Sequence, residues 1–242
     1  MHHITRFAVG MLATLALLSA ATLSAYAVTP APFLGAAAKF VALGSAAVTC
    51  TKSTVGLGAV GSNKTVTKTP SCSFAGAVHQ GDASAAAGNS AVLTAYAALN
   101  GKTCPPANNL TGKQLGGMKL APGVYCFPST TASLTSGTLT LAGPSSGVWV
   151  IQVGTGLTTG TAQVVMSGGG QGCNVYWVLG TAGTIGTGSK LQGNILAGSS
   201  VDFGGTNSSL VGRALAQTAV TMTGTHLRLP SNWNNSICRQ TP

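Results

Sequence analysis

A mainly β fold, built as a stack of short strands with one long helix beside it, is what this sequence predicts, and three observations carry the prediction. After Pro122 the chain breaks into short β-branched and aromatic runs punctuated by glycine: VWVIQV (148–153), QVVM (163–166), NVYWVL (174–179) and NILA (194–197). Runs of that length between Gly- and Ser-rich turns read as strands. Shifting the chain by 19 residues aligns Trp177, Leu196 and Leu215, then Gly186, Gly205 and Gly224, then Thr187, Thr206 and Thr225, then Leu191, Leu210 and Leu229. One earlier copy fits after 26 residues, where Thr155 and Thr161 map onto Thr181 and Thr187. Self-similarity at such a period marks a repeat architecture rather than a sandwich. The third observation is that a single segment of the mature chain, Asp82 to Asn100, reads as a convincing helix.

Nineteen residues suffice for one coil of a β-solenoid, three strands of about four residues each followed by a turn. Such a coil cannot bury its apolar side chains alone, so neighbours must stack. Leucines in register then form an internal ladder and threonines in register an external one. Adjacent coils sit about 4.7 Å apart, and same-face residues along a strand about 6.6 Å apart.

The elements follow in chain order. Residues 1–27 read as a secretory signal peptide, with Arg6 in the n-region, an apolar stretch from Phe7 to Leu18, and a small-x-small site at Ala25-Tyr26-Ala27. Its apolar core is shorter than the roughly 20 residues a transmembrane anchor needs. The expectation is a secreted, extracellular protein cleaved after Ala27, with residues 28–242 forming one domain without a membrane anchor. All six cysteines (Cys50, Cys72, Cys104, Cys126, Cys173, Cys238) fall in that part, and an even count in an oxidising compartment favours disulfides. Fifteen pairings are possible and the sequence does not choose among them; the nearest-neighbour pattern (50–72, 104–126, 173–238) is the simplest. None forms a CxxC and no histidine lies at ligand spacing, so no metal site is expected.

The helix is expected at about 83–100. Asp82 suits its N-cap and the positive end of its dipole. Val92, Tyr96 and Leu99 make one apolar stripe, and Gly101 reads as a C-terminal stop. Gly88 costs about 1 kcal/mol against alanine mid-helix, so the helix needs a partner surface.

Composition narrows the function. The chain carries 12 Lys+Arg against 2 Asp+Glu, and Asp82 and Asp202 are its only acidic residues. That excludes a paired-carboxylate hydrolase and a calcium or magnesium site built from several carboxylates. His79 and His226 are far apart, and no Gly-x-Ser-x-Gly elbow is present. No catalytic residues and no cofactor are expected, so the protein is not read as an enzyme. The excess of positive charge favours anionic partners, but the cations are scattered (Lys39, Lys102, Lys113, Lys119, Lys190, Arg213, Arg228, Arg239) and not interleaved with aromatics. Nucleic acid is therefore not an expected partner, and solubility accounts for the charge.

Threonine is a good strand residue in its own right. Aligned on a regular sheet face, however, its hydroxyls and methyls repeat at intervals of the same scale as the oxygen spacings of ice. Thr-x-Thr pairs, which place both side chains on one face, occur at Thr138/Thr140, Thr159/Thr161, Thr221/Thr223 and Thr223/Thr225.

Longer motifs carry a family resemblance. They are LGAAAKFVALGSAAVT (34–49), AYAALNGKTC (95–104), NLTGKQLGGMKLAPGVYCF (109–127), GVWVIQVGTGLTT (147–159), GCNVYWVLGTAGTIGTGSKLQGNILA (172–197) and LVGRALAQTAVTM (210–222). The sequence resembles the microbial ice-binding protein family of the DUF3494 type from Leu34 to about Pro230. The resemblance implies a right-handed β-solenoid of roughly triangular section with a long α-helix alongside, a face that adsorbs to ice, and no catalysis. It also implies Thr-(Ala/Gly)-x-(Thr/Asn) steps on that face, matched by Thr155–Thr158, Thr181–Thr184 and Thr218–Thr221. Ser199 opens an equivalent step that ends in Asp202, a charge that would hold water in its own geometry. The candidate ice-binding residues are thus Thr155, Thr158, Thr181, Thr184, Ser199, Thr218 and Thr221.

These steps lie one residue out of phase across the 19-residue register. Residues three apart in a straight strand also point to opposite sides, so each step straddles a bend or presents only one threonine. The segment 50–72 departs from the family: it lacks the usual Gly-(Asp/Asn)-Leu-Gly-Val-Ser-Pro block, keeps VGLGAVGS (55–62) as the nearest remnant, and carries Lys52, Lys64 and Lys68. The expected function is that of a secreted, monomeric antifreeze or ice-recrystallisation-inhibiting protein acting on the ice surface. The alternative is a secreted adhesion protein that binds anionic polysaccharide or cell surfaces without ice activity. Salt separates them, because polyanion binding collapses at high ionic strength.

Overall fold

Among residues 33–231, the part that the computed structural model describes, the chain forms nineteen strands and one α-helix. The segment read as a signal peptide and Cys238 lie outside the described residues. In chain order the first strands are β1 (Phe40–Gly44), β2 (Ala47–Thr51), β3 (Thr54–Val55), β4 (Ala59–Ser62), β5 (Thr65–Lys68), β6 (Ser73–Phe74) and β7 (Val78–Gln80). Helix α1 (Ala83–Asn100) follows. Then come β8 (Lys119–Leu120), β9 (Gly123–Phe127), β10 (Ala132–Ala142), β11 (Trp149–Val153), β12 (Leu157–Ser167) and β13 (Val175–Leu179). The last strands are β14 (Gly183–Ile185), β15 (Lys190–Ala197), β16 (Ser200–Phe203), β17 (Ser208–Ala216), β18 (Ala219–Thr223) and β19 (Thr225–Arg228).

All pairings are parallel and form three stacks, as a β-solenoid requires. The helix-side stack runs β9–β11–β13–β15–β17–β1–β4–β7. The threonine-rich stack runs β10–β12–β14–β16–β18–β2–β5. The third stack runs β8–β10–β12–β15–β17–β19–β3–β6, with the long strands bending from one stack into the next. The coils of residues 40–80 therefore sit beyond β17–β19, at the far end of the molecule from β9. An 18-residue helix, about 27 Å long, carries the chain back along the stack so that β9 can begin the opposite end.

A fixed 19-residue period does not survive this geometry. Val178 pairs with Leu196 across eighteen residues, Leu196 with Leu215 across nineteen, and Leu210 with Leu227 across seventeen. Trp177 consequently stacks on Ile195, not Leu196, and Leu229 is not in the Leu210 column. Thr225 is buried against Ser208 rather than forming an outer ladder with Thr187 and Thr206. Backbone ladders set the register, while turns absorb a residue more or less per coil.

The interior is one continuous apolar column. Tyr125, Ile151, Trp177, Ile195, Ala214, Ala42 and Val60 follow each other layer by layer, from large side chains to small. The Trp149 and Trp177 ring N–H groups donate to the carbonyls of Leu120 (3.1 Å) and Gln192 (3.0 Å), so burying them leaves no polar atom stranded. A second cluster lies outside the helix-side stack, where Val150, Tyr176, Val178 and Leu196 meet Val92, Ala95 and Leu99 of α1. Strands covered on both faces read as unbroken apolar runs, which is why VWVIQV and NVYWVL show no alternation.

Asp82 caps α1 by accepting from the Ala85 N–H (2.8 Å) and is held by His79 Nδ1 (2.7 Å). These bonds pull its carboxyl pKa below the ordinary value, the backbone bond contributing most. Gly101 stands where the stop was expected, as the C-cap after Asn100, but in a right-handed conformation (φ −77°) and not the left-handed one common to glycine caps. The helix end is instead satisfied from outside, the Gln152 amide donating to the carbonyls of Leu99 (2.9 Å), Asn100 (3.2 Å) and Lys102 (2.7 Å). Arg213, grouped by sequence with the scattered solubilising cations, is in fact buried. Its guanidinium donates to Ala38 O (2.8 Å) and Asn194 Oδ1 (2.9 Å), and burial lowers its pKa to about 10. It thereby fastens the turn before β1 to β17, where the two halves of the stack join. Disulfides Cys50–Cys72 and Cys104–Cys126 pair as nearest neighbours.

Gly88 explains itself by contact. A Cβ there would stand 2.7 Å from Phe40 Cε2 and 2.9 Å from Leu43 Cδ2. Gly88→Val is expected to destabilise the protein by about 1–3 kcal/mol, because overpacking outweighs the gain in helix propensity. Thermal unfolding by circular dichroism checks this; a melting point at or above wild type would contradict it.

Candidate functional site

The outer surface of the threonine-rich stack is the most regular surface of the molecule. Its strands alternate because one side faces the core. In β18, Val220 and Met222 are buried while Thr221 and Thr223 face out, and in β2 Val48 and Cys50 are buried while Thr49 and Thr51 face out. Pairing then lines the outward residues into columns. The central column reads Gln114, Ser133, Thr158, Thr184, Asp202, Thr221, Thr49 and Thr67. Next to it Thr223 pairs with Thr51, and on the other side Ala219 pairs with Ala47, and Ala47 with Thr65.

Each sequence-predicted step straddles a bend. Thr158, Thr184 and Thr221 lie within the strands, whereas Thr155, Thr181, Ser199 and Thr218 lie on the corner that precedes them. The corner residues form a backbone ladder of their own: Thr181 N–H donates to Thr155 O, Ser199 N–H to Thr181 O, and Thr218 N–H to Ser199 O, each at 2.8 Å. The apparent phase slip belongs to the 19-residue register, since the steps themselves stack in line. Asp202 pairs with Thr184 on one side and Thr221 on the other, and its exposed carboxylate interrupts the column.

Sequence reasoning missed residues that complete this array, Ser133, Thr49, Thr51, Thr65 and Thr67, and noted Thr223 only as the partner of Thr221 in a Thr-x-Thr pair. Three of its strands are near copies of one another, AVTMT (219–223), AVTCT (47–51) and TVTKT (65–69), stacked in register. The likeness is visible in the sequence: AVTCT and TVTKT stand eighteen residues apart, but AVTMT is separated from both by the helix and most of the chain, so a local period does not join it to them. The lysine-bearing segment 50–72, read as a departure from the family, builds the end of this face. Of the four Thr-x-Thr pairs named from the sequence, only Thr221/Thr223 lies wholly on it. Thr159 is buried, bonded to Ser189 Oγ (2.7 Å), Thr225 is buried, and Thr138 and Thr140 belong to the third stack.

The third stack offers the contrast that selects between the two open faces. Its outward residues include Lys119, Lys190, Arg228 and His226. Charged groups bind water by their own geometry, so a surface that templates regular water should carry few of them. Within the paired columns of the threonine face Asp202 is the one outward charge among the described residues.

Comparison with known proteins places the chain among relatives of this fold. A family model described as Ice-binding-like matches residues 36–228. An ice-binding protein of Nostoc sp. (strain HG1) is 38% identical over 173 residues, 69% of this chain and 62% of that protein. The match therefore spans about three fifths of that relative's own length. Among solved structures, an ice-binding protein from an Antarctic biological consortium superposes with a TM-score of 0.80 at 29% identity, covering 95% of this chain and 99% of that one. The ice-binding protein of the Antarctic ascomycete Antarctomyces psychrotrophicus gives 0.77 at 30% identity, covering 83% and 98%.

Proposed function

Because this chain belongs to the ice-binding-like family, we propose that it is an antifreeze or ice-recrystallisation-inhibiting protein that adsorbs to ice through the outer surface of β10, β12, β14, β16, β18, β2 and β5. The observation that carries the reading is the in-register threonine array at β18–β2–β5, where Thr221, Thr49 and Thr67 form one column, flanked by the pair Thr223–Thr51 on one side and by Thr65, beside Ala47, on the other. Its two repeats, about 4.7 Å between strands and 6.6 Å along them, are set by the backbone and do not drift with side-chain motion. Each methyl covers apolar surface while each hydroxyl holds one water, and a rigid array does this without being ordered at the moment of adsorption. The protein acts as a monomer outside the cell, exported by the segment 1–27, and does no catalysis. The test is thermal hysteresis together with ice-recrystallisation inhibition on purified residues 28–242 with disulfides intact. Absence of both in correctly folded protein would sink the reading and promote adhesion without ice activity.

Asp202 supplies a second, directional test. Asp202→Thr would join Thr184 to Thr221 in one unbroken column, so hysteresis is expected to rise about twofold at equal concentration. An unchanged or lower value in a folded variant would mean that this column does not contact ice.

A further inference from the structure

The lysines and arginines, unremarkable as a list, are not evenly placed once the chain is folded. The described residues hold ten of them. Three (Lys119, Lys190 and Arg228) are exposed on the outer surface of the third stack, whereas Asp82 lies at the start of α1 and Asp202 on the threonine face. Among the described residues, then, this surface is positive and carries no carboxylate.

Register places the charges. One outward column runs Lys119, Thr140 and Val165, then, further along, Gln192, Val211 and Arg228. The other contains Thr138, Gln163, Lys190, Ser209 and His226. At one layer per 4.7 Å, Lys119 and Lys190 stand about 14 Å apart along the stack, and Lys190 and Arg228 about 10 Å. Two shallow hollows accompany the cations, one of about 260 Å³ beside Thr138, Gln163 and Lys190, the other of about 290 Å³ beside Gln192, Val211 and Arg228. The glutamines in them are held in place, Gln163 donating to Thr138 Oγ1 (2.9 Å) and Gln192 to Val164 O (3.2 Å).

We infer that the third stack is a docking surface for an anionic polysaccharide, its carboxylates met by Lys119, Lys190 and Arg228 and its hydroxyls by the intervening Gln, Thr and Ser side chains. Duplex DNA presents one charge per roughly 1.7 Å, far denser than cations 10–14 Å apart can match, whereas a glycan with a carboxylate on every second sugar is charged sparsely. Among the described residues the surface turns no Phe, Tyr or Trp outward for base stacking, the His226 imidazole being its one outward ring. Its exposed large apolar side chain is Val165 alone among the described residues, too little to enter a lipid surface. The site is separate from the threonine face, and the inference does not depend on ice binding.

The test is binding of the purified chain to immobilised hyaluronan, with dextran as the neutral control and duplex DNA and phosphatidylglycerol vesicles as rival polyanions. Expected is retention on hyaluronan and not on dextran, with affinity falling about tenfold between about 50 and 200 mM salt. The triple variant K119Q/K190Q/R228Q is expected to lose about tenfold or more, while K64Q/K102Q/K113Q, which removes the same charge elsewhere, stays within about twofold. Equal losses in the two triple variants would reduce the effect to net charge and overturn the site. No retention on hyaluronan would overturn it as well, and tighter binding to DNA or vesicles would overturn the assignment to a glycan.

Discussion

Thr49→Tyr and Thr221→Tyr, made singly, each lower thermal hysteresis to about a tenth of wild type or less while leaving the melting temperature nearly unchanged. The two residues are paired neighbours in the central column, with Thr184 and Asp202 on one side and Thr67 on the other. A tyrosine ring projects beyond the threonine methyls by about the width of a van der Waals contact, and contacts of 3.5–4.0 Å lose much of their energy when opened by even about 1 Å. One ring therefore lifts the neighbouring threonines off the ice. The fold tolerates it, because the side chains point to solvent and tyrosine suits a strand. Thr138→Tyr on the third stack is the control and is expected to keep full activity. Activity retained by Thr49→Tyr and Thr221→Tyr, but lost by Thr138→Tyr, would move the ice site to the third stack.

Trp177→Ala has the largest effect expected on stability. The ring is fully buried between Ile151 and Ile195 in the inner column, and its N–H donates to the Gln192 carbonyl. Its removal deletes that contact area, leaves a cavity that stacked backbones cannot close, and strands a buried acceptor. The cost is about 3–5 kcal/mol. For a chain of this length that lowers the melting temperature by roughly 10 °C, measurable by calorimetry. Near 0 °C the variant that remains folded should keep its hysteresis, since the threonine face is untouched. A loss below about 1 kcal/mol would mean that neighbouring coils close over the gap.

Much of this architecture was legible in the residues because its causes are local. The N-cap at Asp82, the stripe Val92–Tyr96–Leu99 and the demand of Gly88 for a close neighbour all follow from helix geometry, and each has its partner in the structure. The double-sided apolar runs likewise announce strands covered on both faces. Gly101 does end the helix, but the last carbonyls are satisfied by Gln152, some fifty residues away, which no local rule can see. Arg213 misled because a lone arginine looks like surface until the turn before β1, through Ala38, is brought against it.

The sequence by itself determined that the chain repeats, which residues alternate between core and solvent, and which threonines open and close each bend. These depend on interactions within a few residues or on one coil's resemblance to the next. Only the tertiary structure decided which coils are neighbours. The helix returns the chain along the stack, so β2 lies on β18, and Thr221 joins the column of Thr49 and Thr67 although it is distant from both in the chain. Parallel register is set by backbone hydrogen bonds between coils, and these act across space without regard to sequence separation.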